Sequence, residues 1–595
     1  MAVETAARAQ GDTGRTMVAL WDAARSRTGA PAFLVSEKRG VWRDVSWEEA
    51  AQRVDELAAG FLALGIVKGD RVAILSNTRL EWSLSDYALL SLGVVVVPIY
   101  QTSSRDESAY VLADAGARAV LCEDKEQLAK VRGLDLPELQ LTIAFEDAGD
   151  DALGLDHVAE LGRARLAERG HDELAAARAA VSPDDPLTLI YTSGTTGDPK
   201  GCILTHRNWC ALVESVKQVD GLMASGDVAV LFLPLAHNFA RLVQFMGAGA
   251  GLTIALVPDI TRVARALEEV KPTVFPSVPR LFERVYDTVH KRLTQEEGVK
   301  GVIARRALAA GLRGSRIRQQ GKRPWPFLAL QLRLADRLVF SKIQDRFGGR
   351  LKHAVSGGAA LAPHMIEFFD ACGVLILEGY GLTETTSACA VNRPDRYRFG
   401  TVGPALPGLE IALADDGEIK IRGETIFQGY YGRPEATAEV LTDDGWLLTG
   451  DIGTIDADGF VSIVDRKKEL IVTSGGKNIS PFNLETALKA ASPLVANALV
   501  IGDGRTHLAA LVYADPDEAA RLGADEEGVR ALVQKAVDDV NATRGPVEHI
   551  KRFVLLPRDF SAEEGEVTPT LKLKRRVCEA HFAGEIEQLY KPGAR

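Results

Sequence analysis

The chain has 595 residues, 46% of them hydrophobic and 25% charged, a length and balance that call for two or more globular domains. A formal net charge of −11 speaks against a general nucleic-acid binder. Six cysteines without a C-x-x-C spacing speak against a structural zinc site or a disulfide framework, so the reducing cytoplasm is the expected compartment.

Residues 1–15 are small, polar and glycine-punctuated, carry no secretory signal, and are expected to be disordered. Ser46 and Glu49 read as a capping box opening a helix through Ala58 to Leu64. A strand is expected at Val72 to Leu75, a helix at Glu81 to Leu92 and a strand at Val94 to Ile99. A helix from Arg105 to Asp114 and a strand from Ala119 to Cys122 come next. The alternation resumes at Val228 to Leu233, Leu252 to Val257 and Val274 to Pro276. Strands alternating with helices predict an α/β fold with a mostly parallel sheet covered on both faces.

Between His290 and Lys352 the charge balance inverts: basic residues from Lys291 to Lys352 face almost no acids nearby, while Leu328, Leu332, Ala335, Leu338 and Val339 recur at helical spacing. Two readings stand for this basic helical segment 290–352: a solvated helical hairpin, or a peripheral contact with anionic lipid. No run approaches the roughly 20 apolar residues that span a bilayer, so any membrane contact would be from the side. From Arg466 onward short strands and helices predict a small α+β domain. The expected division is therefore 16–465 and 466–595.

The stretch with most chemical content is Thr188 to His206, TLIYTSGTTGDPKGCILTH. An apolar strand runs into Thr192, Ser193, Gly194, Thr195, Thr196 and Gly197, which can bring backbone N–H groups and hydroxyls onto phosphate oxygens. Lys200 adds a point charge. The spelling departs from a Walker loop, with Pro199 before the lysine and Gly201 after it.

YTSGTTGDPKG resembles the signature of the adenylate-forming superfamily of acyl-CoA synthetases, luciferases and peptide-synthetase adenylation domains. Glu378-Gly379-Tyr380-Gly381-Leu382-Thr383-Glu384-Thr385 resembles its second signature. The resemblance runs from about residue 30 to residue 577. It implies a large N-terminal domain with a smaller β-barrel-like part and a small mobile C-terminal domain. The implied chemistry is activation of a carboxylate with Mg-ATP and transfer of the acyl group to a thiol.

Carried over by resemblance, Glu384 holds Mg²⁺ with help from Thr192, Tyr380 stacks on adenine between Gly379 and Gly381, and Thr383 touches the α-phosphate. Gly357, Gly358 and Ala359 lay backbone against the adenine, although a plain strand-to-helix turn would read the same. Asp451, in Thr449-Gly450-Asp451, fits a ribose anchor, since one carboxylate can accept from both ribose hydroxyls, and Arg466 would support it. The family places His237 beside the acyl carboxylate. Thr568-Pro569-Thr570-Leu571-Lys572 resembles the last signature, making Lys572 the adenylation lysine, with Lys574 as the competing assignment. Lys467 or Lys468 would lie near a hinge, and Gly475 and Gly476 would let the pantetheine arm of CoA pass backbone.

Gly381 stands where the acetate-activating branch carries tryptophan, which implies an open acyl channel. With Leu-Pro-Leu-Ala-His (233–237) and 278–286, the chain looks most like the long-chain fatty acyl-CoA synthetases. A fatty acid of roughly C12–C18 is then expected, because each buried methylene contributes about 0.8 kcal/mol. The other readings are a fatty acyl-AMP ligase loading a carrier protein, a luciferase-type oxygenase, and a non-catalytic nucleotide-binding scaffold. Lys200, Glu384, Asp451 and Lys572 together argue against the scaffold. Oligomeric state is not readable.

Overall fold

The computed structural model describes residues 15–36, 40–192, 198–472, 478–561, 564–567 and 573–591. Two eight-stranded, mostly parallel sheets form the bulk of the chain before residue 400. The first runs in the order Leu153–Gly154, Leu141–Ala144, Ala119–Cys122, Arg71–Leu75, Val95–Ile99, Pro186–Thr192, Lys200–Thr205, Gly429–Tyr430. The second runs Trp42–Val45, Phe33–Ser36, Thr253–Leu256, Val228–Leu231, Val274–Ser277, His353–Ser356, Ile376–Gly381, Ala388–Val391. Val95–Ile99 is buried at every position, as a central parallel strand covered on both faces must be.

The helices expected in the first third of the chain are present as Trp47–Ala63, Leu80–Leu90 and Arg105–Ala115. Ser46 accepts from the Glu49 N–H at 3.0 Å, but the Glu49 carboxylate turns to Arg43, so only half of the capping box forms. The full reciprocal box appears instead at Ser104 and Glu107, opening the helix Arg105–Ala115. Arg15, counted with the disordered N-terminus, pairs with Glu424; residues 1–14 lie outside the described chain.

The smaller β part is a four-stranded antiparallel sheet of Leu409–Leu413, Glu418–Gly423, Leu447–Ile455 and Val461–Arg466. Beyond it, Val495–Ile501, Leu508–Ala514 and Ile550–Leu555 make a three-stranded sheet with cores on both faces. Leu484, Leu488, Val533 and Val537 of two helices cover one face, and Cys578, Phe582 and Ile586 cover the other. All six cysteines are free and buried.

The basic segment is helical: Gly298–Gln319 packs against Pro326–Ala335, with one side buried and the other solvated. Helix Gly298–Gln319 buries Ala304, Ala307, Leu308 and Gly311 against its neighbours, and Pro326–Ala335 and Ser341–Arg346 come after it. Its local lack of acids is made good in part by the tertiary fold: Arg316 pairs with Glu367, Arg318 with Asp370, Arg346 with Glu268 and Lys352 with Asp227.

Candidate active site

Pro186–Thr192 and Lys200–Thr205 are antiparallel, and Thr192 lies opposite Lys200. This differs from the strand-to-helix turn of a Walker loop and stems from the β-forming run Lys200 to Thr205. Ser193, Gly194, Thr195, Thr196 and Gly197 lie outside the described residues. Lys200 Nζ stands 5.2 Å from the centre of the Tyr430 ring. Tyr430 in turn donates its hydroxyl to Glu384 Oε1 at 2.7 Å. It reaches Glu384 because Gly429–Tyr430 pairs with Ile203 and Cys202 as an edge strand.

Glu384 sits in the single 3₁₀ turn Thr383–Thr385, directly after the strand Ile376–Gly381, and its carbonyl accepts from the Phe427 N–H at 2.9 Å. Two residues on, Thr386 adopts φ +68°, a left-handed conformation that a β-branched residue rarely takes. Its buried hydroxyl donates to the Thr425 carbonyl at 2.6 Å, which holds the conformation in place. Backbone strain of this kind is common at sites that must aim a side chain.

Asp451 and Arg466 are direct cross-strand partners, and Arg466 Nε lies 2.8 Å from Asp451 Oδ1. Tyr380 donates its hydroxyl to Asp451 Oδ2. Burial pulls the Arg466 guanidinium down, but Asp451, Tyr380 and Glu384 more than reverse this, so it stays firmly charged. Burial and the neighbouring Asp451 carboxylate push Tyr380 far above its ordinary value, keeping the phenol neutral. Each Asp451 oxygen keeps a lone pair beyond the bond that it already accepts, so the carboxylate can still take hydroxyl donors.

His237 caps the helix Asn238–Ala250: its Nδ1 accepts from the Phe239 N–H at 3.2 Å. A ring whose Nδ1 accepts carries its proton on Nε2 when neutral. Asn238 donates to the Thr383 carbonyl at 3.4 Å, and a Cβ on Gly357 would lie 3.4 Å from the Phe239 ring. His237, the Gly357-Gly358-Ala359 turn and Thr383 are thus neighbours. Gly358 has φ +85°. The turn is fastened by Glu378, whose Oε1 accepts from the Leu361 N–H at 3.1 Å; burial pushes this carboxyl up to about 7.

Gly379 and Gly381 lie in the strand Ile376–Gly381, with a register shift at Tyr380/Gly381. A Cβ on Gly381 would come within 1.7 Å of the Ser387 carbonyl oxygen. The close approach of the chain at Ser387 means that glycine here also serves the local backbone, so the residue bears on both the hairpin and the channel.

The AMP-binding enzyme family matches residues 20–431, and the AMP-binding enzyme C-terminal domain matches residues 468–593. The chain belongs to this family. It is 39% identical over 571 residues to the long-chain-fatty-acid--CoA ligase FadD15 of Mycobacterium bovis, covering 93% of each protein. It is 31% identical to the long chain acyl-CoA synthetase 7, peroxisomal, of Arabidopsis thaliana, over 93% of this chain and 82% of that protein. Among solved structures it resembles the adenylation domain of a carboxylate reductase from Mycobacterium chelonae, with TM-score 0.73, 25% identity, and coverage of 97% and 91%. ATP and CoA are co-substrates of the family's acyl-CoA ligases.

Around the exit from the antiparallel sheet, Lys467 Nζ bonds Asp416 Oδ2 at 2.5 Å and Glu418 Oε2 at 2.8 Å, while its N–H donates to the Gly450 carbonyl at 2.8 Å. Asp465 is buried and accepts from Ser480 Oγ and from the Phe482 N–H. Lys468 is exposed. Gly475, Gly476 and Lys572 lie outside the described residues; Lys574 donates its N–H to the Glu566 carbonyl at 2.8 Å ahead of the helix Arg575–His581.

Tyr430, Glu378 and Glu418 escape a reading of the sequence. The one signal for Tyr430 is an aromatic pair enclosed by glycines, Gly429-Tyr430-Tyr431-Gly432. Among the described residues no three His, Cys, Asp or Glu side chains gather as a metal cluster. Glu384 and Thr192 offer one carboxylate and one hydroxyl, a hard-oxygen set suited to Mg²⁺ when substrate phosphates complete it.

Proposed function

We propose that this chain is an AMP-forming long-chain fatty acid–CoA ligase. It would join a fatty acid to ATP as the acyl-adenylate with loss of pyrophosphate, then pass the acyl group to CoA with loss of AMP. The observation that carries this reading is a shared neighbourhood. Lys200, Tyr430 and Glu384 form one chain of contacts, and Tyr380, Asp451 and Arg466 form another joined to it through the strand and turn from residue 376 to 385. The 39% identity to a protein named a long-chain-fatty-acid--CoA ligase supports the substrate class.

In this reading Asp451 accepts from the ribose hydroxyls, Tyr380 offers its ring to adenine, and Gly357, Gly358, Ala359 and Gly379 leave room for the base. The loop 193–197 and Lys200 hold the phosphates, and Thr383 meets the α-phosphate. Glu384 and Thr192 would hold Mg²⁺, which when bound neutralises phosphate charge against the incoming carboxylate. His237 directs its Nε2 proton at the acyl carboxylate and takes no part in proton transfer. The acid's oxygen attacks the α-phosphorus and pyrophosphate leaves. The CoA thiolate then attacks the acyl carbon and AMP leaves.

Both half-reactions use one site, so the C-terminal domain beyond Lys467 is proposed to rotate, carrying Lys572 in for adenylation and Gly475-Gly476 in for thioester formation. Purified protein with palmitate, ATP and Mg²⁺, with and without CoA, tests the reading. Palmitoyl-CoA and AMP are expected only with CoA. Accumulation of acyl-adenylate regardless of CoA would favour an acyl-AMP ligase, and no turnover would favour the scaffold. Lys572→Ala is expected to stop pyrophosphate release yet form thioester from supplied acyl-adenylate.

A further inference from the structure

The helix Pro326–Ala335 and the π turn Asp336–Phe340 that continues it carry two apolar stripes where a helix serving one core needs one. At about 100° per residue, Leu328, Leu332, Ala335 and Val339 share one side. Leu328 and Ala335 are buried, and Leu332 lies where a Cβ on Gly314 of the neighbouring helix would come within 2.9 Å of it. Phe327, Leu330, Leu334 and Leu338 fall on a second side. These four, with Trp325 just ahead of the helix, are each more than half exposed. Nothing in the fold of the described residues covers them.

The surroundings of this outer stripe are basic. Most of the arginines elsewhere in the segment that meet an acid do so through the tertiary fold. Arg323, Arg333, Arg337 and Lys342 do not: no carboxylate partner is found for them among the described residues, and all four are exposed. Asp336, the acid within the stripe's own span, accepts from Gln344. The protein as a whole carries −11, so this is a local cationic, apolar face on an acidic molecule. Large exposed apolar side chains rimmed by cations fit an interface that offers hydrocarbon behind a layer of negative charge. No described helix is long and apolar enough to cross a membrane, so the contact would be one helix lying along the surface.

We infer that the outer face of residues 325–338 docks on an anionic bilayer. Phe327, Leu330, Leu334 and Leu338 enter the acyl boundary, and Arg323, Arg333, Arg337 and Lys342 engage lipid phosphates. The inference stands apart from the proposed acyl chemistry, because vesicle binding can be read without turnover.

The experiment is flotation of the full chain with phosphatidylglycerol–phosphatidylcholine vesicles and with pure phosphatidylcholine vesicles, beside the double variant Phe327→Ser/Leu334→Ser. Wild type is expected to float at least tenfold better with the anionic vesicles and to lose that preference as salt rises from about 0.1 to 0.5 M. The double variant should lose flotation at least tenfold while keeping the wild-type far-UV circular dichroism and Tm, which report that it is folded. Equal binding of wild type to neutral and anionic vesicles would overturn the inference. So would undiminished binding of the variant, or a wild-type dimer in sedimentation that the variant abolishes, since the face would then belong to a second copy.

Discussion

Replacing Glu378 by glutamine is expected to stabilise the protein at pH 8 and to leave it nearly unchanged at pH 5. The carboxyl is 6% exposed, and the one hydrogen bond that offsets its burial comes from the Leu361 N–H. Burial raises its pKa from the ordinary value of 4.5 to about 7. Below about pH 4.5 the group is protonated in both folded and unfolded chains. Between 4.5 and 7 the folded chain keeps the proton that the unfolded chain has lost, so its contribution to stability declines as pH rises and is gone above about 7. A shift of this size corresponds to about 3 kcal/mol. Glutamine still accepts from Leu361 and cannot ionise, so it removes the loss. Thermal unfolding of both proteins at pH 5 and pH 8 reads the difference, and comparing the two pH values cancels any fixed cost of the amide. An equal change in Tm at both values, or none at pH 8, would refute the argument that an ionised carboxylate is being forced into an apolar site.

Three further substitutions test the site. Asp451→Asn should lower kcat/KM for ATP in pyrophosphate release by about 10- to 100-fold, since hydrogen bonds to charged groups contribute about 1.5–3 kcal/mol. Tyr430→Phe removes the donor to the Glu384 carboxylate and should cost about 10- to 100-fold in the same assay, in line with about 1.5–3 kcal/mol for a hydrogen bond to a charged group. Gly381→Ala forces a methyl group onto the Ser387 carbonyl. It should lower Tm by an amount equivalent to about 1–3 kcal/mol, while a panel of fatty acids from short to long shows no change in rank order.

The parts of the site that could be read in advance are those written in contiguous strings. Thr192 and Lys200 sit at the two ends of one hairpin, and the turn holding Thr383 and Glu384 comes straight after its strand. The alternation of apolar strands with amphipathic helices likewise announces the α/β layers, because both periodicities are local. Tyr430 could not be read this way. Its contact with Glu384 spans 46 residues and depends on an edge strand of two residues, too short to leave a pattern. The acids that neutralise the basic segment are hidden for the same reason: Asp227 is 125 residues from Lys352. Gly381 carries two readings at once: by resemblance it bears on the acyl channel, and it also lets its own hairpin close at Ser387.

The pairing of Asp451 with Arg466 also bears on how the C-terminal residues are attached. Arg466 is gripped by Asp451, and Lys467 by Asp416, Glu418 and the Gly450 carbonyl, so the antiparallel sheet acts as a fixed bearing up to that point. Any swivel of the C-terminal domain must draw its torsion from Lys468 onward. In the proposed reading, a ribose competing for the Asp451 oxygens would tug on the mounting itself, two residues from where the turning starts.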